Sequence, residues 1–175
     1  KKYYLSGEAK WASDAIIKNM TERVTKLERI LIGKVAPNLI MMDTTANGFL
    51  SLHSIPAEYT VVVFWDPDCG HCKTELPKIR DWANGEGKEY GVKIFAVCSD
   101  TNLRKWKKEL RTKNYNFINV NGTRSVTQDY HDLYDIISTP VIFILDREKK
   151  IIAKKVSHTQ MEDIIKRDYE KNHKK

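Results

Sequence analysis

The segment TVVVFW, Thr60 to Trp65, limits most what this chain can fold into. Its apolar character is continuous and largely β-branched, where a strand with one wet face would alternate, so it reads as a strand covered on both faces. Such a strand needs helices above and below it, which points to an α/β architecture. With 175 residues, 41% of them hydrophobic, the chain can build one well-buried core with an element to spare. DPDCGHCKTELP follows at once and places Cys69 and Cys72 two residues apart, where the strand gives way to a helix expected over about residues 70–84.

The rest of the pattern completes a mixed sheet. Between Trp11 and Leu31 the residues Ile17, Met20, Val24, Leu27 and Leu31 recur at steps of three and four, predicting an amphipathic helix that Gly33 and Pro37 end. Residues 1–32 therefore read as a helical lead-in, docked on the domain or joining it to a part that precedes Lys1, and residues 33–175 as the domain itself. Leu39 to Met42 and Phe49 to Leu52 flank the turn TTANG as a hairpin. A strand is expected at Val92 to Cys98, then a helix capped by Asp100 or Thr101, with Leu103, Trp106 and Leu110 on its apolar face. Arg104, Lys105, Lys107, Lys108 and Arg111 fall elsewhere on it, as a solvated face. A short strand near Phe117 to Val120, a short helix around Val126 to Asp132, and the strand in STPVIFIL come next. The turn DREKK leads into a strand at Ile151 to Val156, and Met161 to Tyr169 forms the last helix. A mixed central sheet with helices on both sides accommodates this order.

Charge and targeting add little. The net charge of +7 is spread among 23 acidic residues, so it marks no nucleic-acid surface. No apolar run is long enough to span a bilayer. The chain opens at KKYYLSGEAK with neither a methionine nor a leader pattern, which reads as a processed product or an excised fragment.

Three uses of the cysteine pair compete. Structural zinc needs four ligands, and Cys98, His53, His131 and His158 lie too far apart in sequence to show ligand spacing. A disulfide across two intervening residues closes so small a loop that it constrains almost nothing. Redox work remains, and a helix N-terminus favours it, because unpaired amide donors and the positive dipole end stabilise a thiolate. Cys69, at the exposed start of the helix, is the expected attacking sulfur, and Cys72, one turn inside, the resolving one. Gly70 and His71 form the dipeptide that tunes the couple; His71 favours the thiolate, whereas Asp68, next to Cys69, opposes it. Trp65 flanks the pair from the strand end. Two readings of Glu75 stand side by side. It is either a carboxylate buried under the sulfurs, with a raised pKa that lets it shuttle the resolving proton, or a first-turn acid complementing the helix dipole. Thr139-Pro140 likewise reads either as a cis bond turning the chain beside the site or as an ordinary trans proline at a strand start.

FWDPDCGHCKTELP, followed some seventy residues later by STPVIFIL, resembles the thioredoxin-like fold, and more narrowly the TlpA-like and ResA-like thiol-disulfide oxidoreductases of bacterial envelopes. The resemblance runs from about Gly33 to the C-terminus and includes GKVAPNLIMMD as the N-terminal hairpin. It implies that Cys69 attacks, that Cys72 resolves, and that Thr139 and a cis-Pro140 face the sulfurs and pair with substrate backbone. It also implies a functional Glu75 and a helix-bending Pro77. The implied partners are protein disulfides or dithiols and a thiol-based electron donor, in the periplasm or cell envelope, with no organic cofactor and no metal.

Two departures stand out. Thioredoxins carry a buried acid six residues before the first cysteine, where this chain has Val63, and they carry Trp where it has Asp68. The Gly-His dipeptide is more similar to protein disulfide isomerases, and the helical lead-in to C-terminal modules of Bacteroides-type envelope proteins. Cys98, ending the strand VKIFAVC, reads as a buried core thiol. Two other functions stay open: a thiol peroxidase, against which the lack of a T-x-x-C pattern counts, and a non-catalytic binding module.

Overall fold

A computed structural model of the chain describes residues 13–45 and 48–173. Its centre is a seven-stranded mixed sheet in the order β2-β1-β5-β4-β3-β6-β7. The strands are β1 (Ile40–Asp43), β2 (Phe49–Ser51), β3 (Tyr59–Trp65), β4 (Val92–Cys98), β5 (Ile118–Ser125), β6 (Val141–Leu145) and β7 (Ile151–Lys154). The helices are α1 (Asp14–Glu28), α2 (Gly70–Asn84), α3 (Leu103–Thr112), α4 (Tyr130–Tyr134) and α5 (His158–His173). β3, β4 and β5 run parallel, while β6 pairs antiparallel with β3 on its other edge.

All seven residues of β3 are buried, which is why its sequence does not alternate. Tyr59, Val61, Val63 and Trp65 face one layer, where α2 contributes Cys72, Leu76 and Ile79, α3 contributes Trp106, and α5 contributes Met161 and Ile165. Val62 and Phe64 face the other, filled by Tyr130, Leu133 and Tyr134 of α4 and by Ile30, Leu39 and Leu52. The sheet thus splits the core in two, and the C-terminal ends of β3 and β4 open where α2 begins.

Several elements depart from the sequence expectations. β5 runs past Val120 through the polar stretch NGTRS, because its free edge pairs antiparallel with β1 through Met42–Asn121 and Met41–Ser125, with an irregularity between the two. Asn121 is fully buried and satisfied: its amide donates to Asp100 O at 2.9 Å, and its oxygen accepts from Thr123. Gly122 is required by close approach, since a Cβ there would lie 2.5 Å from the Tyr130 ring. α4 starts at Tyr130 rather than near Val126, with Asp129 as its cap accepting from His131 N. The cap of α3 is Asn102, which accepts from Lys105 N at 3.1 Å, and Asp100 instead accepts from Asn102 N. β7 ends at Lys154, where Lys155 turns with φ of 56°. α5 begins three residues earlier than the periodicity suggested and runs on to His173, because Ser157 and Gln160 form a reciprocal capping box.

α1 is shorter than the expected Trp11–Leu31 span, and Trp11 lies outside the described residues. Its stripe is only partly covered: Ile17, Val24 and Leu27 are half-buried, while Met20 and Leu31 are exposed. Ion pairs from Lys26 to Asp132 and from Arg23 to Asp135 hold it against α4.

Candidate functional site

The cysteines sit where β3 runs out. Trp65, buried with its ring edge-on to Tyr115, ends the strand, and Asp66, Pro67 and Asp68 carry the chain to α2. Asp66 organises this turn: its carboxylate accepts from Asp68 N at 2.7 Å and Ser99 Oγ at 2.6 Å, and its carbonyl accepts from Cys69 N. Cys69 is therefore held in extended backbone as the N-cap of α2, and its sulfur accepts from Cys72 N at 3.3 Å. A cysteine thus occupies the place where a serine or aspartate oxygen usually meets the unpaired amides of a first turn, the position at which a helix best supports a thiolate.

The two sulfurs differ in environment. Burial pushes the Cys69 thiol up, but hydrogen bonds with Cys72, Thr139 and the backbone N–H groups of Cys72 and His71 outweigh it and hold Cys69 below the ordinary thiol range. Cys72 is only 1% exposed, and burial, followed by its hydrogen bond with Cys69, pushes its thiol up to about 12. Cys98 is also fully buried; burial pushes it up to about 12 as well, and its sulfur accepts from Asp100 N. All three cysteines carry free thiols. Near neutral pH the native protein is accordingly expected to lose one thiol per chain rapidly to iodoacetamide, and three in denaturant. The fast rate should rise with pH through a value below the ordinary thiol range, because the thiolate is the reactive form. Rapid loss of two or more native thiols would contradict this assignment.

Across from Cys69, the loop between α4 and β6 supplies the second wall. The Thr139-Pro140 bond is cis, and the Cys69 thiol donates to the Thr139 carbonyl at 3.1 Å. A cleft of about 340 Å³ opens between them, lined by Asp66, Asp68, Ser99, His131, Ile137 and Thr139 among others. Ile137, 75% exposed, places an apolar side chain at the mouth of this cleft.

The predicted site residues fall into place unequally. Gly70 and His71 are exposed on the first turn, and a Cβ added at Gly70 meets no atom within 4 Å, so packing does not require a glycine there. Asp68 points to solvent and pairs with Lys105 of α3, which also approaches Asp100 at 3.3 Å. The hydrogen bond from Lys105 holds the Asp68 carboxyl below the usual range, and the cation offsets the charge expected to oppose the thiolate.

Glu75 departs from the buried, proton-carrying carboxyl that was one of its two readings. It is half-buried, and its Oε2 lies 2.7 Å from Nδ1 of His158 on α5, with Lys78 3.5 Å from Oε1. Burial would raise its pKa, but the hydrogen bond and charge of His158 prevail and hold it below the usual carboxylate range. Val63, in the place of the thioredoxin acid, is fully buried, and among the described residues no acid is buried in the core.

Sequence reasoning missed Asp66, Ser99, Lys105, Ile137 and His158 as parts of this site. For His158 a signal was present, because S-H-T-Q is a capping-box pattern that places a helix start there. Among the described residues no group of three or more His, Cys, Asp or Glu is arranged to hold a metal ion.

A thioredoxin-like sheet that presents a Cys-x-x-Cys pair at a helix N-terminus, opposite a cis-proline, defines a protein of the thiol-disulfide oxidoreductase class. The chain belongs to the AhpC/TSA family, which residues 32–154 match. It is 26% identical over 149 residues to the thiol-disulfide oxidoreductase ResA of Bacillus thuringiensis subsp. konkukian (strain 97-27), covering 82% of each chain. A domain of a possible thiol-disulfide isomerase from Cytophaga hutchinsonii ATCC 33406 superposes with a TM-score of 0.74 at 35% identity, covering 83% of this chain and 97% of that one. A thiol:disulfide interchange protein from Bacteroides sp. gives a TM-score of 0.68 at 27% identity, over 79% of this chain and 90% of the other.

Proposed function

We propose that this protein exchanges disulfides with protein partners through a Cys69-Cys72 couple. The observation that carries the reading is the asymmetry of the pair: an accessible sulfur held below the ordinary thiol range beside a buried one pushed up to about 12. The Cys69 thiolate attacks a partner disulfide, forming a mixed disulfide and releasing one partner thiolate, which takes up a proton. Cys72 then attacks the Cys69 sulfur, the bond to the partner breaks, and the second partner thiol leaves. The partner is reduced by two electrons and the couple oxidised; the reverse sequence oxidises a dithiol, and a thiol-based donor or acceptor resets the couple.

Thr139 and Pro140 form the wall against which the partner's backbone lies, and Ile137 meets the residues beside its cysteine. No organic cofactor enters this scheme. Resemblance to envelope oxidoreductases supports action in the periplasm or cell envelope. The peroxidase reading, which needs an arginine beside the reactive cysteine, finds none in the lining of the cleft among the described residues.

The test is equilibration with defined glutathione mixtures, read by thiol alkylation. The wild-type couple should titrate as one two-electron transition, and Cys69→Ser should show none and fall to background in reducing a model protein disulfide. A potential on the order of −270 mV would mark a reductase, and one of about −180 to −120 mV an isomerase or oxidase. Wild-type turnover that survives Cys69→Ser would overturn the proposal.

A further inference from the structure

In the exchange cycle Cys72 gives up a proton when it attacks the mixed disulfide, and the departing partner sulfur takes one up. Cys72 is buried in one core cluster with Trp65, Leu76 and Met161, and the groups that act on its thiol most strongly are Cys69, the Asp66 backbone and Thr139. Glu75 is three residues on, on the same face of α2. It is not free to act alone, because its carboxylate is tied across to α5 by His158 at 2.7 Å. The pair is 23% and 19% exposed, dry enough for the contact to be worth more than a surface ion pair.

We infer that His158 is a positioning residue for the resolving half-reaction: its imidazole anchors the Glu75 carboxylate, ionised, one helical turn beyond Cys72. This rests on the exchange function proposed above and deepens it. A fixed negative charge at that place disfavours a second thiolate at Cys72 while the couple is reduced, so that Cys69 alone attacks. Without His158, the largest influence left on Glu75 is its burial, which favours the protonated acid. The carboxylate would then lose its anchor, hold its charge less strongly and be free to rotate away from Cys72. Lys78 on α2 also approaches the carboxylate, at 3.5 Å, and Cys98 from β4 interacts electrostatically with Cys72. On its own helix His158 has Glu162 one turn on.

The geometry also assigns the imidazole its tautomer when neutral. Nδ1 carries the hydrogen donated to Glu75, which leaves Nε2 as the acceptor. The orientation is set by the start of α5, where the capping box of Ser157 and Gln160 fixes the first turn.

A double-mutant cycle tests this, with stopped-flow release of a reduced fluorescent peptide from a preformed Cys69 mixed disulfide as the readout. His158→Leu should speed release by up to about tenfold, the scale of one lost charge-assisted hydrogen bond, because the charge that disfavours the Cys72 thiolate is no longer held in place. The alkylation rate of Cys69 should stay as in the wild type. His158→Gln, which keeps a donor, should return the rate most of the way to that of the wild type. Glu75→Gln should match His158→Leu, and the double variant should be no faster than either, because both changes remove one interaction. A purely structural histidine would lower the melting temperature and leave the release profile unchanged. That outcome, or effects that simply add, would overturn the inference. Failure of the exchange function is a separate result: no peptide would then form a mixed disulfide with any variant.

Discussion

Cys72→Ser is expected to convert the protein from a catalyst into a trap. Purified variant mixed with an oxidised model protein should accumulate one disulfide-linked species on a non-reducing gel, which collapses with excess reductant, whereas wild type should show almost none. The reasoning is kinetic. The Cys72 thiol is hydrogen-bonded with Cys69, whose sulfur also accepts from Cys72 N at 3.3 Å, so in wild type the resolving attack comes from a group held beside its target. Well-oriented intramolecular attack corresponds to effective concentrations of about 10⁵ M or more, far above the millimolar thiols that remain to resolve the adduct in the variant. Release should therefore slow by three orders of magnitude or more. Serine fits the space that Cys72 leaves, at a cost of about 1–3 kcal/mol for a buried hydroxyl, so the variant should still fold. Cys69→Ser,Cys72→Ser should trap nothing. Adducts that resolve at the wild-type rate would mean that another thiol does the resolving, and Cys98 would be the candidate to replace next.

The parts of this site that lie within one segment were legible in the sequence, and the parts that cross between segments were not. β3 announced itself because burial on both faces leaves no polar alternation, and α2 because the cysteine pair and the preceding strand fix its start. β4 was likewise found over Val92–Cys98. Lys105 and His158 were invisible as site residues, since they meet Asp68 and Glu75 across 37 and 83 positions of chain, and no local periodicity encodes such a meeting. Glu75 shows the consequence: its spacing from Cys72 was right, but its state depends on a partner delivered by the fold. β5 was cut short for a different reason. Asn121 and Gly122, just past the expected Phe117–Val120 strand, look like turn residues, yet each is placed by tertiary contact, the amide by its hydrogen bond to the Asp100 carbonyl and the glycine by the ring of Tyr130.

The ring of Tyr130 also bears on the largest expected loss of stability. Phe64 is 1% exposed, and its ring packs 5.4 Å from that of Tyr130, 5.1 Å from Tyr134 and 6.2 Å from Phe143. Truncating it leaves a cavity beneath α4, and Phe64→Ala should cost about 3–5 kcal/mol. For a domain of this size that corresponds to a fall in melting temperature on the order of 10 °C. In urea the midpoint should drop while the slope stays constant, because the surface exposed on unfolding hardly changes. The exposed residue Val126 gives the contrast: Val126→Ala should change the stability by less than about 0.5 kcal/mol. The loss at Phe64 should also reach the chemistry. α4 is only five residues long, and the chain passes directly from it through Ile136 and Ile137 to Thr139 and Pro140, so the wall facing Cys69 is only as well placed as the aromatic cluster beneath it. Below its melting temperature, Phe64→Ala should therefore exchange disulfides with a protein substrate more slowly than wild type, while small-molecule alkylation of Cys69 stays close to normal. Equal losses in both reactions would place the damage at the α2 N-terminus instead, and a stability loss under about 1 kcal/mol would mean that α4 is anchored without the aromatic cluster.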